Sequence, residues 1–475
     1  TETRVAGGRA GENASTHLAE QLEHIGLEVA RFKTGTPPRV DGRTVDFSGL
    51  QRQECEIEQF DYSWSHFWTA SRRTPNGTRH PEQLPCYITF LSHPGKQLIE
   101  ENIAHSAMYG GAITARGPRY CPSVEDKVVK FPQAERHQLF LEPEGHDTTE
   151  LYVNGLSTSL PANVQLEILR TVPGLKNVHM TRAGYAIEYD YFPPTQLDAT
   201  LQVRRLKGLY FAGQVNGTTG YEEAAGQGVI AGLNAGLSAL GRDQLVLGRE
   251  TSYIGVLIDD LVHRGVDEPY RLFTSRSEFR LTVRQDNALR RLAGYAFTLD
   301  LFTPEERSLA ERRLAAEEEA MDLARATPLR PAVANPYLAT LPSAPIEQTV
   351  RIAELTKRQD VELRALFQLA DVGAALALDA VTSTELELKY AGYFDRERVQ
   401  ADRLKRLGHV MLAPDLEYAS MRSLTFEARQ KLAALRPRSL AQAASIPGVS
   451  PNDVQNILIE VERHRRVAAA GGKPS

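Results

Sequence analysis

The chain is poor in cysteine: Cys55, Cys86 and Cys121 are the only three among 475 residues, an odd number with no CxxC spacing. That argues against a disulfide framework and a thiolate zinc site, and it suits a reducing cytoplasm. Histidine is sparse as well, 12 in all, and none stands in a ligand pattern such as HExxH, so no metal is expected. No run of about eighteen apolar residues occurs, so no membrane-spanning segment is read. No basic-then-apolar leader precedes the first glycines, so no secretory signal is read either. The expectation is a cytoplasmic protein with no membrane partner. Positive charge is not in surplus: 55 Lys and Arg face 60 Asp and Glu, a formal net of −5. A polyanion would therefore have to be held by a local basic patch rather than by overall attraction.

What is present is a hydrophobic share of 42%, enough for substantial cores and about two to four domains at roughly 150 residues each. Leu18, Leu22 and Ile25 recur at helical spacing after Ser15, a good N-cap residue, and Gly26 is placed to stop that helix. A loop-rich stretch follows from Lys33 to Arg39 and runs on through an aromatic segment around Trp64 and Trp68. Short strands resume from Cys86 to Phe90. From about Pro304 the pattern is Glu-, Arg-, Ala- and Leu-rich with helical period, broken only by a proline-rich stretch from Pro328 to Pro345. Gly448 reads as a turn between two late helices with Ser450 as the cap of the second, a place that could seat a phosphate or a partner. The chain opens at Thr1 without a methionine and meets Gly7 and Gly8 almost at once. The expectation is a fragment whose upstream strand and loop have been cut away.

The most informative segment runs from Gly208 through Gly213, Gln214, Gly217, Gly220, Tyr221 and Glu222 to Gly228. A short apolar strand is expected to pass through glycines into a helix rich in small residues. Glycines at such a junction let backbone N–H groups approach a ligand, and the positive end of a helix favours a pyrophosphate or a flavin carbonyl. The competing reading is a tight turn with a close helix–strand contact. A second cluster comprises Arg271, Arg276, Arg280, Arg284, Arg290 and Arg291, interleaved with Tyr270, Phe273 and Phe279. It suits phosphate clamping and base stacking, or else an amphipathic helix whose arginines pair with Glu268, Glu278 and Asp286.

The glycine segment resembles the second FAD-contacting motif of the MnmG/GidA family, the tRNA uridine-5-carboxymethylaminomethyl modification enzymes. Further blocks agree in family order: Gly7 to Glu12, Lys33 to Arg39, Gly117 to Lys127, Phe140 to Gly145, Glu268 to Arg276 and Lys389 to Tyr393. Two departures are Gly226, where the flavin helix would carry alanine, and a long aromatic loop between about Gln51 and Gln83. The resemblance implies an α/β fold: a Rossmann-like FAD-binding domain, incomplete at its N-terminus, from 1–40 and 195–245. An α/β NAD-binding domain would be inserted at 41–194, and an α-helical domain for tRNA and partner binding would span 246–475. The family's GxGxxG loop and first functional cysteine would lie upstream of Thr1.

Carried over, Ser15 and Gln214 match flavin-contacting positions. Gly117, Pro118, Arg119, Tyr120, Cys121, Pro122, Ser123, Val124, Glu125, Asp126, Lys127, Val128, Val129, Lys130 and Phe131 match the segment assigned to nicotinamide dinucleotide. Arg119, Lys127 and Lys130 offer cations to a pyrophosphate or a tRNA phosphate, with Pro118 and Pro122 stiffening the loop; a solvated basic loop is the alternative. Cys121 matches the family's second functional cysteine. Arg119 and Lys127 would raise its thiolate fraction, and thiolate attack at uridine C6 makes C5 nucleophilic. A small residue filling a gap is the other reading, as it is for Cys55 and Cys86.

The implied reaction moves a one-carbon unit from methylenetetrahydrofolate through FAD to the wobble uridine of tRNA, with NADH as reductant. The implied assembly is a homodimer with a MnmE-type GTPase, a heterotetramer, and Arg271, Arg276, Arg280 and Arg284 are the candidate tRNA contacts. Two alternatives stand beside this. One is the folate- and FAD-dependent uridine-5-methyltransferase of the tRNA T-loop, which is not expected to carry the helical C-terminus. The other is a truncated, non-catalytic tRNA- or partner-binding remnant with weak flavin affinity and no turnover.

Overall fold

The computed structural model describes residues 7, 13–54, 83–117, 122–408, 410–413, 416–437, 439–444, 446 and 448–469. Two units form. The first takes its described residues from positions up to 54, 83–246 and 265–272, the second from 247–264 and from 273 onward.

In the first unit, α1 (Thr16–His24) begins after Ser15, as the spacing predicts, and ends before Gly26. Gly26 has φ +85°, a left-handed turn that glycine takes without a Cβ penalty. The Ser15 hydroxyl makes no capping hydrogen bond, so the expected cap is positional only. The chain then forms β1 (Ala30–Thr36), β2 (Arg39–Asp41), β3 (Gln51–Gln53), β4 (Cys86–Leu91) and α2 (His93–Asn102). It continues with α3 (Val124–Lys130), β5 (His137–Pro143), β6 (Glu150–Asn154), α4 (Ala162–Thr171), β7 (Met180–Arg182) and β8 (Tyr185–Tyr191). β1 and β8 pair antiparallel from Ala30↔Tyr191 to Thr36↔Tyr185, a two-stranded ribbon that leads into and out of everything between them. Inside it lies a six-stranded sheet, order β3-β4-β5-β6-β2-β7, with every pairing antiparallel.

That sheet works by alternation. Leu139 and Leu141 of β5 and Leu151 and Val153 of β6 point to one face, where Ile99 of α2, Val124 and Val128 of α3, and Ile168 and Leu169 of α4 close over them. Each such buried aliphatic side chain stabilises the fold by about 1.5–3 kcal/mol. The segment 195–245 follows with isolated bridges and ends in α5 (Tyr221–Ala239).

The second unit is helical. It comprises α6 (Tyr253–Arg264), α7 (Ala288–Leu299), α8 (Pro304–Ala326), α9 (Pro331–Leu338), α10 (Ile352–Thr356), α11 (Leu363–Leu369), α12 (Leu378–Lys389), α13 (Ala391–Gly408), α14 (Phe426–Leu435), α15 (Leu440–Ala444) and α16 (Pro451–Ala469). α8 opens at Pro304 with a reciprocal capping box between Thr303 and Glu306. The proline-rich break is more ordered than its composition suggests: β9 (Pro328–Leu329) pairs with β10 (Val350–Arg351), and α9 uses Pro331 in its first turn. Ser450 caps α16 through a bond from the Asp453 amide at 3.2 Å, following Gly448 at φ +92°.

Gln165 fastens the sheet unit to the start of β8. Its Nε2 donates to the carbonyls of Leu160 (2.7 Å) and Gly184 (2.9 Å), and its Oε1 accepts from the Gly184 amide at 2.7 Å. Gln165→Leu leaves these buried backbone groups unpaired and is expected to cost on the order of 3 kcal/mol, read by urea denaturation. A loss below about 0.5 kcal/mol would refute this assignment.

Candidate functional site

The glycine segment folds around turns. In place of a strand from 208 to 212 there is one bridge, Gln202↔Tyr210, because the Val203 and Phe211 amides bond back to Leu209 and Leu201 at 2.8 and 3.1 Å. The chain reverses at Gly213 (φ +79°) and Gly217 (φ +71°) before entering α5 at Tyr221. A Cβ at Gly217 would stand 2.9 Å from the Phe32 ring and 3.1 Å from Tyr191, two rings stacked at 4.0 Å. At Gly217 the close-packing reading of this segment holds. Buried Gln227 receives the Gly213 amide (2.8 Å) and the Asn216 amide nitrogen (3.0 Å) on its Oε1. Several polar atoms here are buried without a hydrogen-bond partner among the described residues: Asn216 Oδ1, Thr218 Oγ1, Gln227 Nε2 and Glu223 Oε2. Buried polar atoms are normally paired, so this cluster at a helix N-terminus has unused capacity for a polar ligand. Ser15 and Gln214, the carried-over flavin positions, are both exposed.

A cavity of about 470 Å³ opens beside the ribbon. Gly117, Pro122, Ser123, Asp126 and Lys130 of the candidate nicotinamide run line it, with Lys33, Thr34, Arg116, Ser157, Thr158 and Glu268. Ser123 caps α3, its Oγ accepting from the Asp126 amide at 3.2 Å. Lys130 pairs with Asp126 at 3.1 Å, and Arg116 with Asp267 at 3.0 Å. The rest of the run divides. Val124 and Val128 pack in the sheet core, Val129 and Phe131 are exposed, and Lys127 donates to the Gly155 carbonyl at 2.8 Å. Glu125 is fully buried, and its Oε1 accepts from the Thr158 hydroxyl and the Ser159 amide, both at 2.9 Å. Its Oε2 has no partner among the described residues. Pro118, Arg119, Tyr120 and Cys121 lie outside the described residues, as does Cys55; Cys86 opens β4.

The cavity draws on residues to which the sequence reading gave no role. Lys33 and Thr34 come from β1, and Ser157 and Thr158 from a polar run between Leu156 and Leu160. That hydroxyl run between two leucines was the one signal in the sequence.

Of the arginine cluster only Arg290 and Arg291 lie on an α-helix, α7. The backbone from 273 to 287 is held by side chains instead: Arg249 donates to the Arg276 carbonyl at 3.0 Å, and Glu397 accepts from the Leu281 and Thr282 amides at 3.3 and 2.7 Å. Arg271 pairs with buried Glu223 at 3.1 Å. Arg276 lies 3.9 Å from buried Asp260. Arg284 is held by Asp286 at 2.9 Å and Glu387 at 3.0 Å. Arg290 is paired with Glu317, and Arg291 donates to the Arg284 carbonyl at 2.7 Å. Arg280 is exposed and makes no ion pair among the described residues.

An α/β unit with an open polar cavity and a glycine-turned helix N-terminus, in a chain that continues as a helical unit, has the build of a dinucleotide-dependent enzyme with an appended helical module. The family models agree: residues 1–243 match glucose inhibited division protein A, 304–398 the C-terminal helical domain of the tRNA modifying enzyme MnmG/GidA, and 400–474 its C-terminal helical bundle. The chain belongs to the MnmG/GidA family, a family of FAD-binding tRNA-modifying enzymes. It is 43% identical over 466 residues to the tRNA uridine 5-carboxymethylaminomethyl modification enzyme MnmG of Porphyromonas gingivalis, covering 96% of this chain and 73% of that protein. Bacillus subtilis MnmG is likewise 43% identical, with 96% and 72% covered. The form II crystal structure of Aquifex aeolicus GidA superposes with a TM-score of 0.78 at 38% identity, covering 97% of this chain and 72% of that one.

Behind α3, His137 is held below its ordinary pKa of 6.5 by burial, then by Lys127 and Lys96. A histidine with a lowered pKa stays neutral in the fold while the unfolded chain takes a proton. Stability from this residue is therefore complete above about pH 6.5 and declines as pH falls toward the lowered value. Thermal melts between about pH 7 and pH 5 should show this acid-side loss, and His137→Gln should flatten it. Identical pH slopes in the two proteins would dismiss His137 as the cause.

Proposed function

We propose that this protein modifies C5 of the wobble uridine of tRNA, as its relatives are named for doing. FAD would sit at the Gly213–Tyr221 junction and NADH in the cavity bordered by Lys33, Arg116 and Lys130. Methylenetetrahydrofolate would be the one-carbon donor, and a homodimer with a MnmE-type GTPase in the cytoplasm the working assembly. The observation that carries the reading is the group of partnerless buried polar atoms on Asn216, Thr218, Glu223 and Gln227. A flavin's carbonyl and ring N–H groups are of the kind such atoms accept and donate to. Bound there, FAD would supply the redox and one-carbon carrier chemistry.

The protein's own residues would do the positioning. Gln227 locks the Gly213–Asn216 turn that leads into α5, so the helix N-terminus is held where it could meet the ligand. Lys33, Lys130 and Arg116 border the cavity with charge suited to a pyrophosphate. Ser123, Ser157 and Thr158 add hydroxyls for a ribose or an amide. The Cys121 thiolate would add at uridine C6, leaving C5 electron-rich for attack on the one-carbon unit, and would leave again when C5 loses its proton.

The test is FAD titration by absorbance, followed by anaerobic addition of NADH. Gln227→Leu is expected to weaken FAD binding about tenfold. Lys33→Ala should leave FAD binding intact while raising the NADH concentration for half-maximal flavin bleaching about tenfold. Cys121→Ser should keep both properties and lose tRNA modification. If the protein takes up no FAD, the redox reading falls and a binding-only role replaces it.

A further inference from the structure

The arginines that drew attention in the sequence are mostly engaged. Within the second unit, Arg284 has only 18% of its side chain exposed and is clamped between Asp286 and Glu387. A phosphate there would have to displace two carboxylates. Yet Arg284 also lies over the Phe394 ring at 4.3 Å, and Phe394 begins a series of aromatic contacts leading outward. Tyr390 sits 6.1 Å from Phe394, Tyr393 sits 6.5 Å from Tyr390, and the Arg396 guanidinium lies 4.7 Å over the Tyr393 ring. Phe394 is buried, whereas Tyr390 and Tyr393 are 48% and 56% exposed. The series therefore starts in the core and ends at solvent as two tyrosine rings and a guanidinium plane.

The charge around these rings is arranged to favour a polyanion. Glu397, next to Arg396 in sequence, is turned inward and buried, where it accepts from the Leu281 and Thr282 amides and the Thr282 hydroxyl. Asp395 is paired with Arg398 at 3.1 Å, and Arg398 also reaches Glu387 at 2.9 Å. Arg396 makes no ion pair among the described residues and is exposed. Asp395 is thus paired and Glu397 buried, while the Arg396 guanidinium beside the exposed rings makes no ion pair among the described residues.

We propose that Tyr390, Tyr393 and Arg396 form a stacking platform for unpaired bases of the RNA substrate. This rests on the tRNA reading above and specifies which residues of the helical unit meet the nucleic acid. Rings with one open face and a guanidinium plane take any unpaired base, and the neighbouring cation meets its phosphate. Glu397 and Phe394 are positioning residues that fix the platform from beneath.

The test uses the whole protein and two fluorescein-labelled RNAs in an anisotropy titration. One is a tRNA anticodon stem-loop with an unmodified wobble uridine. The other is a hairpin of equal length with its bases paired and a minimal loop. Tyr393→Ala and Arg396→Ala should each weaken stem-loop binding about tenfold, with Tyr393→Phe within about twofold of the parent. Binding of the paired hairpin should change less than about twofold, and the melting temperature should hold. Arg396→Ala should also shallow the salt dependence by about one phosphate contact, which a loss of packing alone would not do. Unchanged stem-loop affinity in Tyr393→Ala and Arg396→Ala would overturn the platform and leave the tyrosines to a protein neighbour. If the parent protein binds neither RNA, the tRNA reading itself falls.

Discussion

The close approach at Gly217 is the contact on which the first unit depends. No side chain fits there, because the turn lies against the stacked rings of Phe32 and Tyr191. Those rings belong to the two strands of the ribbon, so the same contact holds the entry and exit of the inserted sheet. The turn is tied on its other side as well: the Gly217 carbonyl accepts from the Tyr270 amide at 3.0 Å, and the Val215 carbonyl from the Phe192 amide at 2.8 Å. One reversal of the backbone thereby joins the start of α5, the ribbon and the 265–272 segment. A shift of any of these would move the polar cluster around Gln227.

From that joint the cavity follows. The ribbon supplies Lys33 and Thr34, and the sheet's covering helix α3 supplies Ser123, Asp126 and Lys130. α3 is held by opposite means on its two sides. Val124 and Val128 are packed into an apolar core, while Glu125 is buried among the hydroxyls and amide of Thr158 and Ser159. A carboxylate buried at such a place costs desolvation that hydrogen bonds from one side offset only in part. Its unpartnered Oε2 stores capacity for a donor close to the wall of the cavity.

Much of this was legible from local chemistry. The helix between Ser15 and Gly26, the opening of α8 at Pro304 and the Ser450 cap all depend on residues within a turn of one another, which periodicity and cap residues report directly. The glycine junction was legible for the same reason, although its strand reduced to a bridge once amides from 203 and 211 folded back. The antiparallel order of the sheet was not legible. β2 pairs with β6 and β7, far along the chain, and nothing within β2 names those partners. The part of the arginine cluster before α7 forms no α-helix for a related reason, since the Arg276 carbonyl and the Thr282 amide are taken by Arg249 and Glu397, residues well outside any local window. Of the residues carried over from the family blocks, those on α3 separate into core, cavity and surface, a division set by which helix face meets the sheet. Hydrophobic spacing marks Val124 and Val128 as core, but no spacing reveals that Lys33 would face the same space as Lys130.

The fate of the arginines has a wider physical reason. A guanidinium in a fold that carries more acid than base will usually find a carboxylate, and once it does so in a half-buried place it is costly to withdraw. Arg249, Arg284, Arg290 and Arg313 each meet one to three carboxylates in this way and serve as structural ties. Nucleic-acid affinity in a chain with a net charge of −5 must then come from the few cations left outside such pairs, and these act only over about a Debye length. Exposed rings are the natural complement, because stacking is indifferent to net charge and to most of the salt. A mildly acidic protein can therefore hold an RNA loop at an aromatic site beside a single cation, without calling on a broad basic surface.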